Sequence, residues 1–227
     1  MGAQVSDNAT CVVAIDGPSG TGKSTVSRRL ASAIDAHYLD TGAMYRAVTW
    51  AVLDAGVDAT DTTKVLDVLG KITLTSGIDP EAPHISVDGR PLDAEIRSSD
   101  VTAAVSAVAA VPAVRAALVE RQREIIHAAG RIVVEGRDIS SVVWPQADLK
   151  IYLTASEEER ARRRGAEVGA SDLAATQAAL ARRDALDAAR AQAAGERLDG
   201  ATEVDTTGLD IDGVVAVLTS MLVEADQ

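Results

Sequence analysis

Short apolar runs alternate with amphipathic stretches along most of the chain, a pattern that predicts strands followed by helices. The first apolar run, residues 11–16 (CVVAID), is rich in β-branched side chains and leads into a glycine-rich turn, as is typical of a buried parallel strand. From Ser24 the period changes, and apolar residues recur every four positions at Val26, Leu30 and Ile34. The change of period predicts a helix with one apolar stripe directly after the turn.

The same alternation continues towards the C-terminus. Further core strands are predicted at His37–Asp40, Arg131–Glu135, Leu149–Leu153 and Thr202–Asp205. Further helices are predicted at Ala43–Ala55, Pro112–Ala129 and Asp212–Ala225, the first two ending at Gly56 and Gly130. Strands that alternate with helices favour an α/β fold, in which a parallel sheet is covered by helices on both faces.

Two more helices follow the fourth core strand. Ser156 with Glu159 three residues later forms a capping box and predicts the start of an arginine-rich helix. Arg160 and Arg164 share one face of that helix, and whether they approach a bound triphosphate stays open at this point. Ser171 is predicted to cap a long alanine-rich helix that runs towards residue 192, followed by a loop at residues 195–200.

One β-rich stretch interrupts the alternation. Lys71–Thr75 and His84–Val87 predict an antiparallel pair, and Asp88-Gly89 is a hairpin signal for one further short strand. Because this pattern differs from the regular succession of strand and helix around it, we interpret the stretch as part of an inserted lobe.

The charge balance limits the ligands that the surface can bind. The chain has 22 Lys and Arg against 34 Asp and Glu, a net charge of −12. Binding to nucleic acid or to an anionic membrane through charge alone needs a basic face, and an aromatic content of 2% offers few rings for stacking on single strands. Any phosphate-bearing ligand therefore needs a local cluster of cations.

Cysteine and histidine are too sparse for a disulfide framework or a zinc site. Cys11 is the single cysteine, and the three histidines are scattered. The first ten residues lack the basic and apolar regions of a signal peptide, and no apolar run reaches the length of a membrane span. We therefore expect a cytoplasmic protein that does not associate with membranes.

The glycine-rich turn matches the phosphate-binding pattern G-x-x-x-x-G-K-[ST] and lies where that pattern requires, between a strand and a helix. The residues concerned are Gly17, Pro18, Ser19, Gly20, Thr21, Gly22, Lys23, Ser24 and Thr25. Glycines let successive backbone N–H groups face a polyphosphate. The lysine adds a cation near the β- and γ-phosphates, and the Ser24 hydroxyl is a ligand for Mg²⁺. The motif predicts binding of ATP or GTP.

The rest of the chain narrows the class of phosphate-loop protein. A GTPase reads guanine with an asparagine, and the only asparagine here, Asn8, precedes the phosphate loop. A motor ATPase or an ATP-binding regulator usually has a strand that ends in consecutive acids, whereas the sequence here is Glu135-Gly136-Arg137-Asp138. A GTPase is therefore disfavoured, and an ATPase or regulator without a small-molecule acceptor stays open as an alternative.

Five segments in order resemble bacterial cytidylate kinases, which belong to the nucleoside monophosphate kinases. They are GPSGTGKST (17–25), DTGAMYR (40–46), S-x-x-A-x-x-P-x-x-R (106–115), EGRD (135–138) and RD-x-x-D-x-x-R (183–190). The resemblance implies a five-stranded parallel core (1–40, 124–155 and 200–227). It further implies an acceptor-binding lobe with the β-rich insert (41–123) and a helical lid (156–199).

The resemblance also implies the activity and the residues that carry it. ATP with Mg²⁺ would donate a phosphoryl group to CMP or dCMP in a monomeric enzyme, and Lys23, Arg137 and Arg190 would be catalytic. The implied contacts to the acceptor are Thr41, Arg46, Arg137 and Arg190 for its phosphate, Arg183 and Asp187 for the ribose, and Ser106, Arg115 and Asp138 for the base, with Tyr45 beside them. A kinase of the same fold for UMP or AMP stays open as a further alternative.

Overall fold

This computed structural model describes residues 11–169, 172–194 and 200–225, and its elements combine strands and helices throughout. The strands are β1 (Cys11–Asp16), β2 (His37–Asp40), β3 (Leu74–Ser76), β4 (Ile85–Val87), β5 (Arg90–Pro91), β6 (Arg131–Gly136), β7 (Leu149–Thr154) and β8 (Thr202–Asp205). The helices are α1 (Lys23–Ala33), α2 (Thr41–Asp54), α3 (Thr62–Leu69), α4 (Ser99–Ala109), α5 (Pro112–Ala129), α6 (Glu157–Val168), α7 (Leu173–Ala194) and α8 (Ile211–Ala225). A 3₁₀ turn at Glu95–Arg97 lies between β5 and α4, and a π-helical turn at Ile139–Val143 lies between β6 and β7.

Two sheets confirm the predicted fold class. Five strands pair in parallel in the order β2-β6-β1-β7-β8, and β3, β4 and β5 form a small antiparallel sheet. Strand β1 lies at the centre of the large sheet, and its alternate residues point to opposite faces. Val12 and Ala14 pack with α2 and α5 on one face, while Val13 and Ile15 pack with α1 and α8 on the other. Both faces of the strand are buried, which is why its sequence is almost continuously apolar.

The topology brings three strand ends together. Because β2, β6 and β1 are neighbours and parallel, their carboxyl ends at Asp40, Gly136 and Asp16 meet at one edge of the sheet. In open α/β sheets this edge is where ligands bind. The Asp16 carboxylate accepts hydrogen bonds from the backbone N–H groups of Ile139 and Ser140, each at 2.8 Å, and so ties the end of β1 to the π-helical turn after β6.

Helix α6 begins with only half of the predicted capping box. The Ser156 hydroxyl accepts from the N–H of Glu159 at 3.2 Å, as predicted. The second bond of a capping box would run from the N–H of Ser156 to the Glu159 side chain. Here the N–H of Ser156 donates instead to the Thr207 hydroxyl at 2.9 Å. The Glu159 carboxylate is therefore available to the arginines of its own helix, and it accepts from Arg162 and Arg163.

Two helices in the region between β2 and β6 were not predicted. Helix α3 is capped by the Asp61 carboxylate and α4 by the Ser98 hydroxyl, but the short length of α3 and the β-branched valines of α4 weaken their helical signals. The strand predicted at residues 71–75 is β3, which begins three residues later, at Leu74. Helix α2 begins at Thr41, ahead of the predicted Ala43, because Asp40 caps it by accepting from the N–H of Ala43.

Some predictions lie outside the described residues. These are the cap at Ser171, most of the loop at 195–200 and the first ten residues. Among the described helices, none is by itself long and apolar enough to cross a membrane; α4 and α5 meet that criterion only as a pair bent by 97°.

Candidate functional site

A cavity of about 730 Å³ opens at the carboxyl edge of the large sheet and contains nearly all of the predicted site. Ten residues predicted to contact the acceptor line it: Thr41, Tyr45, Arg46, Ser106, Arg115, Arg137, Asp138, Arg183, Asp187 and Arg190. Six residues of the phosphate loop line it as well: Ser19, Gly20, Gly22, Lys23, Ser24 and Thr25. The other three, Gly17, Pro18 and Thr21, are not part of the lining.

The cavity has the opposite charge balance to the chain as a whole. Nine cationic side chains line it: Lys23, Arg28, Arg46, Arg97, Arg115, Arg137, Arg164, Arg183 and Arg190. The acidic side chains in the lining are four: Asp40, Glu135, Asp138 and Asp187. This excess of cations, in a chain of net charge −12, is the local cluster that a polyphosphate ligand requires.

The phosphate loop takes its shape from backbone conformations that favour glycine. Gly20 and Gly22 have φ angles of 83° and 88°, in the left-handed region that costs glycine little. A Cβ atom on Gly20 would lie 2.7 Å from the carbonyl oxygen of Arg160, so the loop passes too close to α6 for any other residue. Lys23 begins α1, and its Nζ donates to the carbonyl oxygen of Pro18 at 2.8 Å.

A buried acid lies beside the loop lysine. Glu135, 4% exposed, accepts a hydrogen bond from the Tyr38 hydroxyl. Burial, followed by the charge of Asp40, raises the pKa of Glu135 to about 7. Burial and the nearby Arg137 lower the pKa of Lys23 to about 7. A bound polyphosphate would favour the charged form of Lys23, because it adds negative charge where arginines otherwise repel the ammonium.

Helix α2 presents Thr41 and Arg46 to the cavity. The Thr41 hydroxyl donates to the carbonyl oxygen of Glu135 at 2.7 Å. The Arg46 guanidinium donates to the carbonyl oxygen of Ile96 at 2.9 Å and to the Thr102 hydroxyl at 3.0 Å. Burial and the neighbouring Arg164 lower the pKa of Arg46 to about 10, a sign that cations crowd this end of the cavity.

Arg137 connects the phosphate loop to α7. Its guanidinium donates to the Ser19 hydroxyl at 2.5 Å and pairs with Asp187 at 3.2 Å. Arg183, Asp187 and Arg190 lie four and three positions apart on α7, and this spacing places them on one helix face. Arg190 pairs with Asp187 at 3.4 Å, and burial and Arg137 lower the pKa of Arg183 to about 10.

The three residues predicted to contact the base come from three different elements. Asp138 follows β6 and forms an ion pair with Arg115 of α5, with side chains 9% and 15% exposed. Ser106 lies on α4 and lines the same cavity. The group therefore combines a hydroxyl with a carboxylate that only accepts hydrogen bonds and a guanidinium that only donates them.

The structure adds cavity residues that the sequence analysis missed or left open. Arg164 lines the cavity, whereas Arg160 donates to the carbonyl oxygen of Ser19 at 3.3 Å and pairs with Asp184. Arg28 was missed, although it lies four residues after Ser24 and so shares its helix face. Arg97 lies on the 3₁₀ turn between β5 and α4, and no motif in the sequence marks it.

Comparison with known proteins covers nearly the whole chain. The model of the family described as cytidylate kinase matches residues 13–224. Proteins named cytidylate kinase from Streptomyces avermitilis and Nocardia farcinica are 49% and 50% identical to it. The first match spans 94% of this chain and 93% of the relative, and the second spans 97% of each. An uncharacterised protein from Eubacterium ventriosum shares the fold, with a TM-score of 0.52 at 12% identity over 95% of this chain and 99% of that one.

Proposed function

Because the chain belongs to the cytidylate kinase family, we propose that it transfers the γ-phosphoryl group of ATP to CMP or dCMP. The products are ADP and CDP or dCDP. The observation that carries this proposal is the shared cavity, in which the phosphate loop and all ten predicted acceptor residues line one space. Donor and acceptor bound there meet directly, so the transfer needs no covalent enzyme intermediate.

The donor phosphates bind at the loop between β1 and α1. Backbone N–H groups of the loop and the start of α1 bind the phosphate oxygens, and Lys23 supplies a cation. Among the described residues no cluster of histidine, cysteine and acidic side chains is suited to hold a metal by itself. The site instead fits Mg²⁺, which typically binds nucleotide phosphates and few protein ligands. The Ser24 hydroxyl would be its protein ligand, and the ion would neutralise charge on the transferred group.

The acceptor binds opposite the donor, with its phosphate between α2 and α7. Arg46, Arg137 and Arg190 bind the phosphate oxygens, because guanidinium groups donate paired hydrogen bonds that match phosphate geometry. The Thr41 hydroxyl adds one more donor. Arg183 and Asp187 contact the ribose from the same face of α7.

The transfer step moves one phosphoryl group between two bound oxygens. An oxygen of the acceptor phosphate forms a bond to the γ-phosphorus, and the bond from that phosphorus to the β,γ-bridging oxygen breaks, which releases ADP. Lys23, Arg137 and Arg190 stabilise the charge that is redistributed in this step. Closure of the lid, residues 156–199, excludes water, which would otherwise accept the phosphoryl group.

The base is recognised by Ser106, Arg115 and Asp138. Cytosine has an amino group at position 4 and an acceptor at N3, whereas uracil has an acceptor and a donor there. The Asp138 carboxylate accepts from the amino group, and Arg115 donates to N3 and O2. Uracil would instead place an oxygen against the Asp138 carboxylate. Neither oxygen has a proton to donate, so both acceptors would stay unpaired, which disfavours binding of uracil.

An acceptor panel tests the proposal. The protein is incubated with ATP and MgCl₂ and, in separate reactions, with CMP, dCMP, UMP, AMP, GMP or no acceptor, while ADP release is followed. We expect CMP and dCMP to accelerate ADP release far more than the other nucleotides. A Lys23→Ala preparation made in parallel measures contaminating kinase activity. A rate of ADP release that is the same with and without each acceptor would favour an ATPase. A rate that rises most with UMP or AMP would favour a kinase of the same fold for that nucleotide.

We further propose that the enzyme acts as a monomer in the cytoplasm. The ten acceptor residues and the phosphate loop all come from one chain, so the site needs no second copy. A single cysteine is consistent with a reducing compartment. Light scattering at working concentration tests the monomer, and a dimer mass would contradict it.

A further inference from the structure

Carbonyl oxygens of the phosphate loop are held from outside the cavity by helix α6. In a trans peptide the C=O of one residue and the N–H of the next point in opposite directions. A loop whose N–H groups face a phosphate therefore directs carbonyl oxygens away from it, and each of these oxygens needs a donor elsewhere. The carbonyl oxygen of Thr21 belongs to the same peptide unit as the N–H of Gly22, a residue that lines the cavity.

Arg163 is one of the donors to that carbonyl oxygen. Its Nη1 lies 3.1 Å from the oxygen of Thr21 and 2.9 Å from the hydroxyl of Thr206. Its Nη2 donates to the carbonyl oxygen of Thr206 at 2.8 Å, and its Nε donates to Glu159 at 2.7 Å. The side chain is 21% exposed. One guanidinium thus joins α6, the phosphate loop and the segment after β8.

Thr206 also contacts the carbonyl oxygen of Thr21. The residue is 1% exposed, and its hydroxyl lies 3.2 Å from the carbonyl oxygen of Thr21 and 2.9 Å from that of Thr154. The hydroxyl has one proton to donate between these two acceptors. Arg163 therefore provides the charged hydrogen bond to Thr21, of the stronger kind.

We propose that Arg163 is a positioning residue for ATP: it fixes the peptide between Thr21 and Gly22 so that the N–H of Gly22 faces the donor phosphates. Arg163 is absent from the cavity lining and acts through the backbone. The inference rests on the proposed function in that ATP is the ligand of the loop. It assigns to α6 a role in donor binding that is separate from closing over the acceptor.

The neighbouring Arg162 offers a matched control. It also donates to Glu159, at 2.8 and 2.7 Å, but its side chain is 65% exposed. No hydrogen bond from Arg162 to the phosphate loop occurs in the described structure. Arg162→Ala and Arg163→Ala both remove one arginine and one partner of Glu159, and only the second removes the bonds to Thr21 and Thr206.

The experiment measures ADP affinity by calorimetry and steady-state kinetics for wild type, Arg162→Ala, Arg163→Ala and Arg163→Lys. For Arg163→Ala we expect the ADP dissociation constant and the KM for ATP to rise by about tenfold. The KM for CMP should stay within about twofold, because the acceptor residues are untouched. Arg162→Ala should match wild type, and Arg163→Lys should recover part of the loss because it restores one charged donor.

Two results would overturn the inference: equal ADP affinity of the Arg162 and Arg163 variants, or a rise in the KM for CMP as large as that for ATP. Thermal unfolding of each variant shows whether it is folded. If Arg163→Ala does not fold, Arg163→Lys is compared with Arg162→Lys, and a partial loss of ADP affinity is expected only in the first of these. If the wild-type protein binds ADP but CMP does not accelerate ADP release from ATP, the proposed function is contradicted. The comparison of ADP affinities between the variants still tests the role of Arg163 in that case.

Discussion

At the scale of single residues, the candidate site consists of groups whose charge suits a phosphate or a base. Such residues can be identified by a sequence motif when several of them are close together in the chain, as in the loop at residues 17–25 and in the segment around Arg46. Arg97 contributes to the same cavity but stands alone in the sequence. Its role depends on the turn that carries it, and no local pattern could have identified it.

Replacing Lys23 by alanine tests the donor side. In the proposed mechanism the lysine supplies a cation to the transferred phosphoryl group, so we expect kcat to fall on the order of 10²–10³-fold. Thermal unfolding should change little, because its Nζ makes a single hydrogen bond to the loop. Stopped-time assays of ADP production measure the effect. A folded variant with nearly normal turnover would remove Lys23 from the mechanism.

Replacing Asp138 by asparagine tests recognition of the base. Asparagine keeps the shape but offers a donor as well as an acceptor, so we expect kcat/KM for CMP to fall and the ratio of UMP to CMP efficiency to rise. Ser106→Ala is the control, because a hydroxyl can bond to either base and its loss should lower both efficiencies together. If the ratio stays constant in Asp138→Asn, Asp138 does not select the base.

At the scale of elements, the sequence predicted the large sheet well and the region between β2 and β6 less well. The central strands β1 and β6 are β-branched runs bounded by turns, a signal that can be recognised without knowledge of the neighbouring strands. Helix α4 is rich in alanine and valine, and its apolar side follows from packing against α2 and α5, which the sequence alone does not show. Ser106 was nevertheless identified, because its spacing from Arg115 belongs to a segment of the resemblance.

The π-helical turn after β6 depends on Asp16. Asp16→Ala leaves the buried N–H groups of Ile139 and Ser140 without their acceptor, so we expect a loss of about 2–4 kcal/mol in the free energy of unfolding. Burial raises the pKa of the Asp16 carboxyl, and relief of this desolvation limits the loss. Urea unfolding measures it.

Ser140→Ala, which removes only the hydroxyl bond at 2.6 Å, is the control and should lose less than half as much. A loss in Asp16→Ala no larger than this would show that the turn holds its shape without the carboxylate.

Asp187 of α7 links the predicted lid to the phosphate loop. It pairs with Arg137, whose guanidinium also donates to the Ser19 hydroxyl, and substrates bound between α7 and the loop would add further contacts. We expect amide hydrogen exchange across residues 173–194 to slow when a non-hydrolysable ATP analogue and CMP are both present. Exchange in α8, on the other side of the sheet, should not change. Equal protection of α7 with and without ligands would argue against a lid that closes.

At the scale of the whole molecule, an acidic chain encloses a cationic cavity. Composition predicted that phosphate ligands must meet a local cluster of cations, but the cluster combines residues from Lys23 to Arg190, which only the fold brings together. The pair of Arg137 and Ser19, for example, joins residues 118 positions apart. Motifs identified six of these cations but not Arg28, Arg97 or Arg164, and the distances between all of them depend on the strand order.

Inorganic tripolyphosphate should therefore stabilise the protein more than salt does. Bound at about 100 times its dissociation constant, a ligand of the folded state contributes about 2.7 kcal/mol, and the melting temperature should rise accordingly. Sodium chloride at equal ionic strength is the control, because it only screens charges. The increase should shrink in a variant that lacks Arg137 and Arg183. An equal response to both salts would indicate that the cavity does not concentrate polyanions.

The dependence of the phosphate loop on Thr206 has a consequence for protein synthesis. The ribosome completes the loop early, yet the hydroxyl that bonds to Thr21 belongs to a residue 185 positions later. Strands β6 and β7, the neighbours of β1 in the sheet, also emerge in the second half of translation. A chain that stalls before residue 206 therefore exposes a full nucleotide-binding motif without a finished binding site. We therefore expect the nascent chain to bind nucleotide only after residue 206 has left the ribosome.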